Sequence, residues 1–278
     1  MEPWSKSDGR RVLKISSLQW SSEEARRYWN HRCAQLRPFT KAPSTEYYRR
    51  REIHLIETHF GELRGRRFLK LDLWNETHNT EILFWVVEQG AEVFGIDVAD
   101  EIVAEVEERF RRRGLTGTFQ TCDIRNLAFV SEEFDLVYSM GTIEHVPNPE
   151  AAFREIYRVL KPGGRAIIGV PNSRDLFLRA PLVHLLDSLD LYPYSPERAF
   201  SSHELTEQLR SVGFKVTHST GILFMPCVFR VFDILVYHHF PSILPLSLAL
   251  LSPFELLESR FPRLARLGYL TVCVVEKE

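Results

Sequence analysis

From residue 68 to residue 170, short apolar runs take turns with stretches in which apolar side chains recur every three or four positions. The runs predict strands buried on both faces, and the longer period predicts amphipathic helices. Strands are expected at residues 68–73, 91–97, 118–122, 134–139 and 165–170, with two more at 214–220 and 270–276. A helix over 80–89 carries Ile82, Leu83, Val86 and Val87 inward and stops at Gly90. Another, capped by Asp100 and ended by Gly114, has Ile102, Val103, Val106 and Phe110 on one face. Ala152, Phe153, Ile156 and Leu160 mark a third, which the turn Lys161-Pro162-Gly163-Gly164 breaks before the fifth strand. Ser201-Ser202-His203-Glu204 is a capping-box sequence opening a helix through Val212. Strands alternating with crossover helices give an α/β fold with a parallel sheet. Right-handed crossovers then gather the strands' carboxyl ends on one edge, where ligands bind.

Two helices, 21–36 and 45–60, precede the first strand, and residues 1 to about 20 read as a loosely docked polar arm. Residues 1–62 are therefore expected to form an arm and helices covering the ligand edge, 63–220 the core, and 269–278 the final strand of the same sheet. Between them, 221–268 is a hydrophobic insertion longer than a strand connection requires. Asp233 and Glu255 bracket 21 residues without a charged side chain, enough for a membrane span by length. Pro241, Pro245 and Pro253 interrupt it, and one crossing would part the last strand from its sheet. Short helices are expected instead, closing over the ligand edge, meeting a membrane surface, mediating self-association through 221–262, or enclosing a small core of their own. Tyr192-Pro193-Tyr194-Ser195-Pro196 reads as a rim loop.

A chain with 44% hydrophobic and 26% charged residues is not disordered. A net charge of -2 gives no chain-wide attraction to nucleic acid, and Arg49 to Arg51 and Arg111 to Arg113 read as solvated helix faces. Cys33, Cys122, Cys227 and Cys273 lack metal-site spacing and read as reduced thiols of a cytoplasmic protein, one peripheral at a membrane if the insertion docks there. The first residues lack an export pattern.

Gly95-Ile96-Asp97, Phe134-Asp135-Leu136-Val137, Ile143-Glu144-His145-Val146-Pro147-Asn148-Pro149 and Leu160-Lys161-Pro162-Gly163-Gly164 follow one another in an order and spacing that resemble the class I S-adenosylmethionine (SAM) methyltransferases. The group that includes the ubiquinone-biosynthesis O-methyltransferases is the most similar. The resemblance implies a Rossmann-like seven-stranded sheet with helices on both faces, SAM as cofactor, and direct SN2 transfer to an oxygen or nitrogen of a small molecule. It implies that Asp97, beside Val98, accepts hydrogen bonds from ribose hydroxyls. Asp123 would meet the adenine amino group while Ile124 packs on the ring, and Ser139 and Met140 would pass the methionine portion. Glu144 and His145 would face the acceptor, His145 either as general base or as a structural residue. An apolar lid would favour a partly apolar acceptor.

The first loop departs from the family. Asp72 keeps the place of the acid, but Trp74, Glu76 and His78 stand where three glycines belong. Bulky residues there are expected to resist positive φ and to fill cofactor space. Two readings stay open: a rerouted loop in which Asn75, Glu76, His78 or Asn79 meets the methionine end, or a catalytically inactive relative or binder of another ligand. A metal at Asp72, Glu76 and His78 is not assigned. A dinucleotide oxidoreductase is disfavoured, because no G-x-G-x-x-G follows the first strand.

Overall fold

The computed structural model describes residues 20–188 and 197–278. The polar arm, apart from Trp20, and the rim loop at 192–196 lie outside the described residues. The core is a seven-stranded sheet formed by β1 (Arg67–Lys70), β2 (Glu92–Asp97), β3 (Thr118–Thr121), β4 (Phe134–Met140), β5 (Leu160–Pro171), β6 (Lys215–Ile222) and β7 (Leu270–Glu276), in the order β3-β2-β1-β4-β5-β7-β6. Six strands share one direction; β7 runs antiparallel to both its neighbours, β5 and β6. One reversed strand is the departure from a wholly parallel sheet. The chain order reverses between β1 and β4, which places the ligand crevice beyond their carboxyl ends.

Ten helices are described: α1 (Ser22–Gln35), α2 (Pro43–Phe60), α3 (Trp74–His78), α4 (Ile82–Glu88), α5 (Asp100–Arg112), α6 (Pro149–Val159), α7 (Arg179–Ser188), α8 (Ser202–Val212), α9 (Cys227–His239) and α10 (Leu244–Arg260). Two buried clusters flank the sheet. Ile102, Val103, Val106 and Phe110 of α5 join Leu55 and Ile56 of α2 on one side. Phe153 and Ile156 of α6 join Leu205 and Leu209 of α8 on the other. The capping boxes of α1 (Ser21 with Glu24) and α8 (Ser201 with Glu204) are both closed. Asp100 does not cap α5, because it is already the first helical residue; Ala99 is the cap and Asp97 binds its amide. Lys161 to Gly164 lie within β5, where they form an irregularity in the pairing with β4. Gly95 is required by packing, since a Cβ there would come within 2.6 Å of the Leu73 side chain.

The insertion leaves at the end of β6 and forms α9, α10 and short 3-10 turns before β7. Its polar residues bind it to α2. Asp233 accepts from the Ser44 amide at 2.7 Å, Glu258 accepts from the Tyr47 hydroxyl and pairs with Arg51 at 2.7 Å, and Glu255 pairs with Arg50 at 2.6 Å. Arg50 and Arg51 are thus ties to the insertion instead of a solvated face, whereas Arg111 and Arg112 do pair with Glu108 on their own helix. Pro241–Arg260 is long and apolar enough to cross a membrane, yet β7 beyond it is paired inside the sheet. The four cysteines are free thiols.

Candidate functional site

A cavity of about 680 Å³ opens at the carboxyl ends of β1 to β4. Asp72, Asn75, Asp97, Val98, Asp123, Ile124, Met140, Glu144 and His145 all line it. Two expected residues do not. Ser139 is buried within β4, and Glu76 is turned beneath the loop, fully buried. For these two the sequence expectation of a cofactor contact is corrected: strand alternation points Ser139 into the core, and helical periodicity points Glu76 away from Asn75.

The glycine-less loop folds because it is a helical turn. No residue of α3 has positive φ, so nothing there calls for glycine; the neighbouring left-handed residue is Glu81 (φ 51°). The Asp72 carboxylate accepts from the Asn75 amide at 3.3 Å, starting the turn as a capping acid would. Beneath it lies Lys70, a fully buried cation at the end of β1. Its ammonium donates to the Asp72 carboxylate at 2.8 Å and the Asp72 carbonyl at 2.6 Å, and lies 3.4 Å from Glu76. β1 ends at Lys70, three residues earlier than expected. Glu76 also accepts from the Leu83 amide at 2.9 Å, and Glu52 of α2 accepts from the Tyr138 hydroxyl at 2.7 Å. Burial pushes the Glu52 and Glu76 carboxyls up to about 7, against the pull of Lys70. Asn79 donates to Asn75 at 2.7 Å and accepts from Arg230 of α9 at 2.9 Å, so the insertion grips the loop directly.

Trp74 stands in the cavity wall without blocking the cavity. Its indole stacks on His78 at 5.0 Å and leans on Phe39 at 5.9 Å. His78 faces that ring and the Thr77 hydroxyl, and Asp72 and Glu76 converge on Lys70, so these three side chains do not assemble a metal site. Among the described residues one group, Glu144, His145 and Glu197, has ligand atoms within 4.8 Å of one another; Glu197 already pairs with Arg179.

Asp97 is the last residue of β2 and Asp123 follows its neighbour β3, on one edge of the sheet. Asp97 accepts from the Leu73 amide at 2.9 Å and the Ala99 amide at 2.9 Å. Burial raises its carboxyl to about 6 despite those bonds. Asp123 lies two residues past the end of β3 and is clasped by Arg125, whose guanidinium donates to it at 2.6 Å, and by the Ser22 hydroxyl. Burial works to raise this carboxyl, but the bonds from Arg125 and Ser22 hold it below the usual range. At the far end, Gly141 (φ 78°) turns the chain out of β4 toward Glu144. The Glu144 carboxyl is pushed well above its usual value by burial and by neighbouring Glu197. His145 meets the edge of Trp29 of α1 at 5.2 Å. Leu182, Val183 and Leu186 of α7 and Ile234 and Leu235 of α9 supply apolar lining. Lys70, Glu52, Arg179, Arg230 and the whole of α7 were missed by the sequence reading. A lysine inside the apolar run Phe68 to Leu71 was the one available signal.

A methyltransferase-domain family model matches residues 78–168, from the end of the altered loop into β5. Ubiquinone biosynthesis O-methyltransferase of Azoarcus sp. (strain BH72) is 27% identical over 145 residues, covering 51% of this chain and 62% of the relative. The enzyme of the same name from Methylococcus capsulatus is 30% identical over 144 residues, covering 49% and 60%. The match therefore spans about six tenths of these relatives' own length. Among solved structures, magnesium protoporphyrin IX methyltransferase from Synechocystis PCC 6803 with bound S-adenosylhomocysteine (SAH) superposes with a TM-score of 0.59 at 13% identity, covering 92% of this chain and 99% of that one. The [4+2]-cyclase SpnF superposes with a TM-score of 0.59 at 20% identity, covering 82% and 80%. Strand order, the reversed β7, the matched segment and the motifs from Gly95 to Gly164 agree: the fold is that of the class I SAM-dependent methyltransferases, and residues 78–168 resemble their methyltransferase domain in sequence.

Proposed function

We propose that this chain binds SAM and transfers its methyl group by direct SN2 displacement to an oxygen or nitrogen of a small, partly apolar acceptor. The observation that carries the reading is one cavity with Asp72 and Asp97 at neighbouring strand ends and apolar α7 and α9 side chains opposite. SAM supplies an electrophilic methyl carbon on a sulfonium. The Asp97 oxygens each hold one backbone amide, leaving lone pairs for ribose hydroxyls. Val98 and Ile124 offer apolar faces to a purine, and Asp123, held by Arg125, stands beside them. Asp72 and Asn75 present an anionic and an amide group to the amino-acid end, on a turn that needs no glycine. The altered loop thus fits the cofactor, and no observation favours an inactive relative.

At the acceptor end, Glu144 and His145 flank the acceptor's polar atom, and His145 takes the proton that this atom loses. Leu182, Leu186 and Ile234 exclude water and hold a nonpolar body in line with the methyl carbon. Free thiols are consistent with a reducing cytoplasm. Calorimetric titration with SAH tests the reading. Saturable binding by the intact chain, weakened about tenfold or more in Asp97→Ala by loss of a charge-assisted bond, is the expected result; failure of the intact chain to bind overturns it.

A further inference from the structure

The insertion separates its charges by face. Its acids, Asp233, Glu255 and Glu258, all face α2: two are fully buried and Glu255 is paired with Arg50. Of its arginines, Arg230 reaches inward to Asn79 and Ser44, while Arg260, Arg263 and Arg266 are exposed and take part in no ion pair described among the described residues. Three exposed arginines thus close α10 and the turn after it, and exposed apolar side chains run along α9, its connection and α10. Val228, Val231 and Leu235 repeat at helical spacing along α9 and are 48%, 54% and 52% exposed. Phe240 (60%) and Ile243 (41%) form the connection to α10, followed by Leu246 (51%), Leu248 (52%) and Leu256 (68%). In the most apolar window of Pro241–Arg260 only 17% is buried. A helix pair that hides its acids and presents leucine, phenylalanine and arginine has the composition of an element lying in a bilayer interface over anionic headgroups.

The same surface reaches the cavity, because Val231 and Leu235 are both half exposed and part of its lining. We infer that α9, α10 and their connection bed into an anionic lipid surface, and that the acceptor is a membrane-dissolved amphiphile entering past Val231 and Leu235 with its polar atom leading toward Glu144 and His145. The acceptor's identity rests on the methyltransferase reading; the docking surface stands without it.

Co-sedimentation of the full chain with vesicles of phosphatidylcholine and phosphatidylglycerol, or of phosphatidylcholine alone, tests the surface. The intact chain is expected to partition to the mixed vesicles. Phe240→Ser, Ile243→Ser and Leu246→Ser combined, all exposed and outside the cavity wall, should lower partitioning by about tenfold or more. Arg260→Gln, Arg263→Gln and Arg266→Gln combined should remove the preference for phosphatidylglycerol. Absence of partitioning by the intact chain, undiminished partitioning of the first variant, or light scattering showing a dimer that this variant splits would each overturn the inference. SAH titration of the same variants keeps the two ideas apart: unchanged SAH binding with no vesicle binding retires only the docking surface, and vesicle binding without SAH binding retires only the methyl-transfer reading.

Discussion

Replacing Lys70 with methionine keeps the length of the side chain and removes the one buried cation that faces Asp72, Glu76 and Glu52. Breaking a buried ion pair by deleting one partner costs about 3–5 kcal/mol, because the remaining charge is left without compensation. The loss should depend on pH in a defined direction. Glu52 and Glu76 have carboxyls raised to about 7, above their unfolded values, so the native state holds protons there that the unfolded chain has released. Near pH 5.5 both are protonated, only Asp72 loses a charged partner, and the cost should fall to about 1–3 kcal/mol. Near pH 8 the full cost applies. Lys70 itself is raised and stays charged in both states throughout this window, so its own titration adds nothing. With a urea m-value of about 3 kcal/mol/M, the midpoint for Lys70→Met should drop by about 1–1.7 M near pH 8 and by about 0.3–1 M near pH 5.5. Urea unfolding followed by tryptophan fluorescence and far-ultraviolet circular dichroism at both pH values makes the measurement. A drop below about 0.3 M near pH 8, or equal drops at both pH values, would refute the argument that this lysine neutralises a buried acidic cluster.

Restoring the family's glycines through Trp74→Gly, Glu76→Gly and His78→Gly should weaken the site, since α3 has no positive φ and loses about 1 kcal/mol of helix propensity per glycine besides the Glu76 contacts; thermal melting should fall and SAH affinity should drop, and a gain in affinity would show that the turn obstructs the cofactor. Asp97 titrates at about 6 in the fold, so SAH affinity measured by calorimetry should decline as pH falls through 6, by up to about tenfold per unit. Its contribution to folding has the opposite trend: the raised carboxyl makes the native state the tighter proton binder between the ordinary aspartate value and 6, so that contribution declines as pH rises across this window. Affinity independent of pH would remove Asp97 from the nucleoside site.

Strands and helices with a clean period were legible because burial on one or both faces writes the pattern directly into residue order. Phe134 to Met140 and Asp100 to Arg112 are of this kind. The carboxylates at strand ends were legible for a topological reason, as the end of a parallel strand meets the crevice whatever the rest of the chain does. The loop at 74–78 was not. Its side chains were judged against a glycine turn, and nothing local discloses that Lys70, four residues earlier, sits beneath them as a counter-ion. The three acids of the insertion were equally opaque, since their partners on α2 lie about two hundred positions away in the chain. Helix α7 buries only Arg179 among its described side chains and leaves Leu185 exposed beside the cavity-lining Leu182, Val183 and Leu186, so its place in the cavity wall follows from tertiary packing.

Because β7 is paired antiparallel to β6, with Ile222 opposite Leu270, the insertion departs from the sheet and returns to it at a single point. Topologically it is the loop of a hairpin, enlarged into a cassette. The strands on either side keep their register whatever length of chain joins them, but Arg230 of the cassette holds Asn79, and through it Asn75. Exchanging the cassette for a tight turn would leave the sheet and the strand-end carboxylates in place while releasing the loop at the amino-acid end.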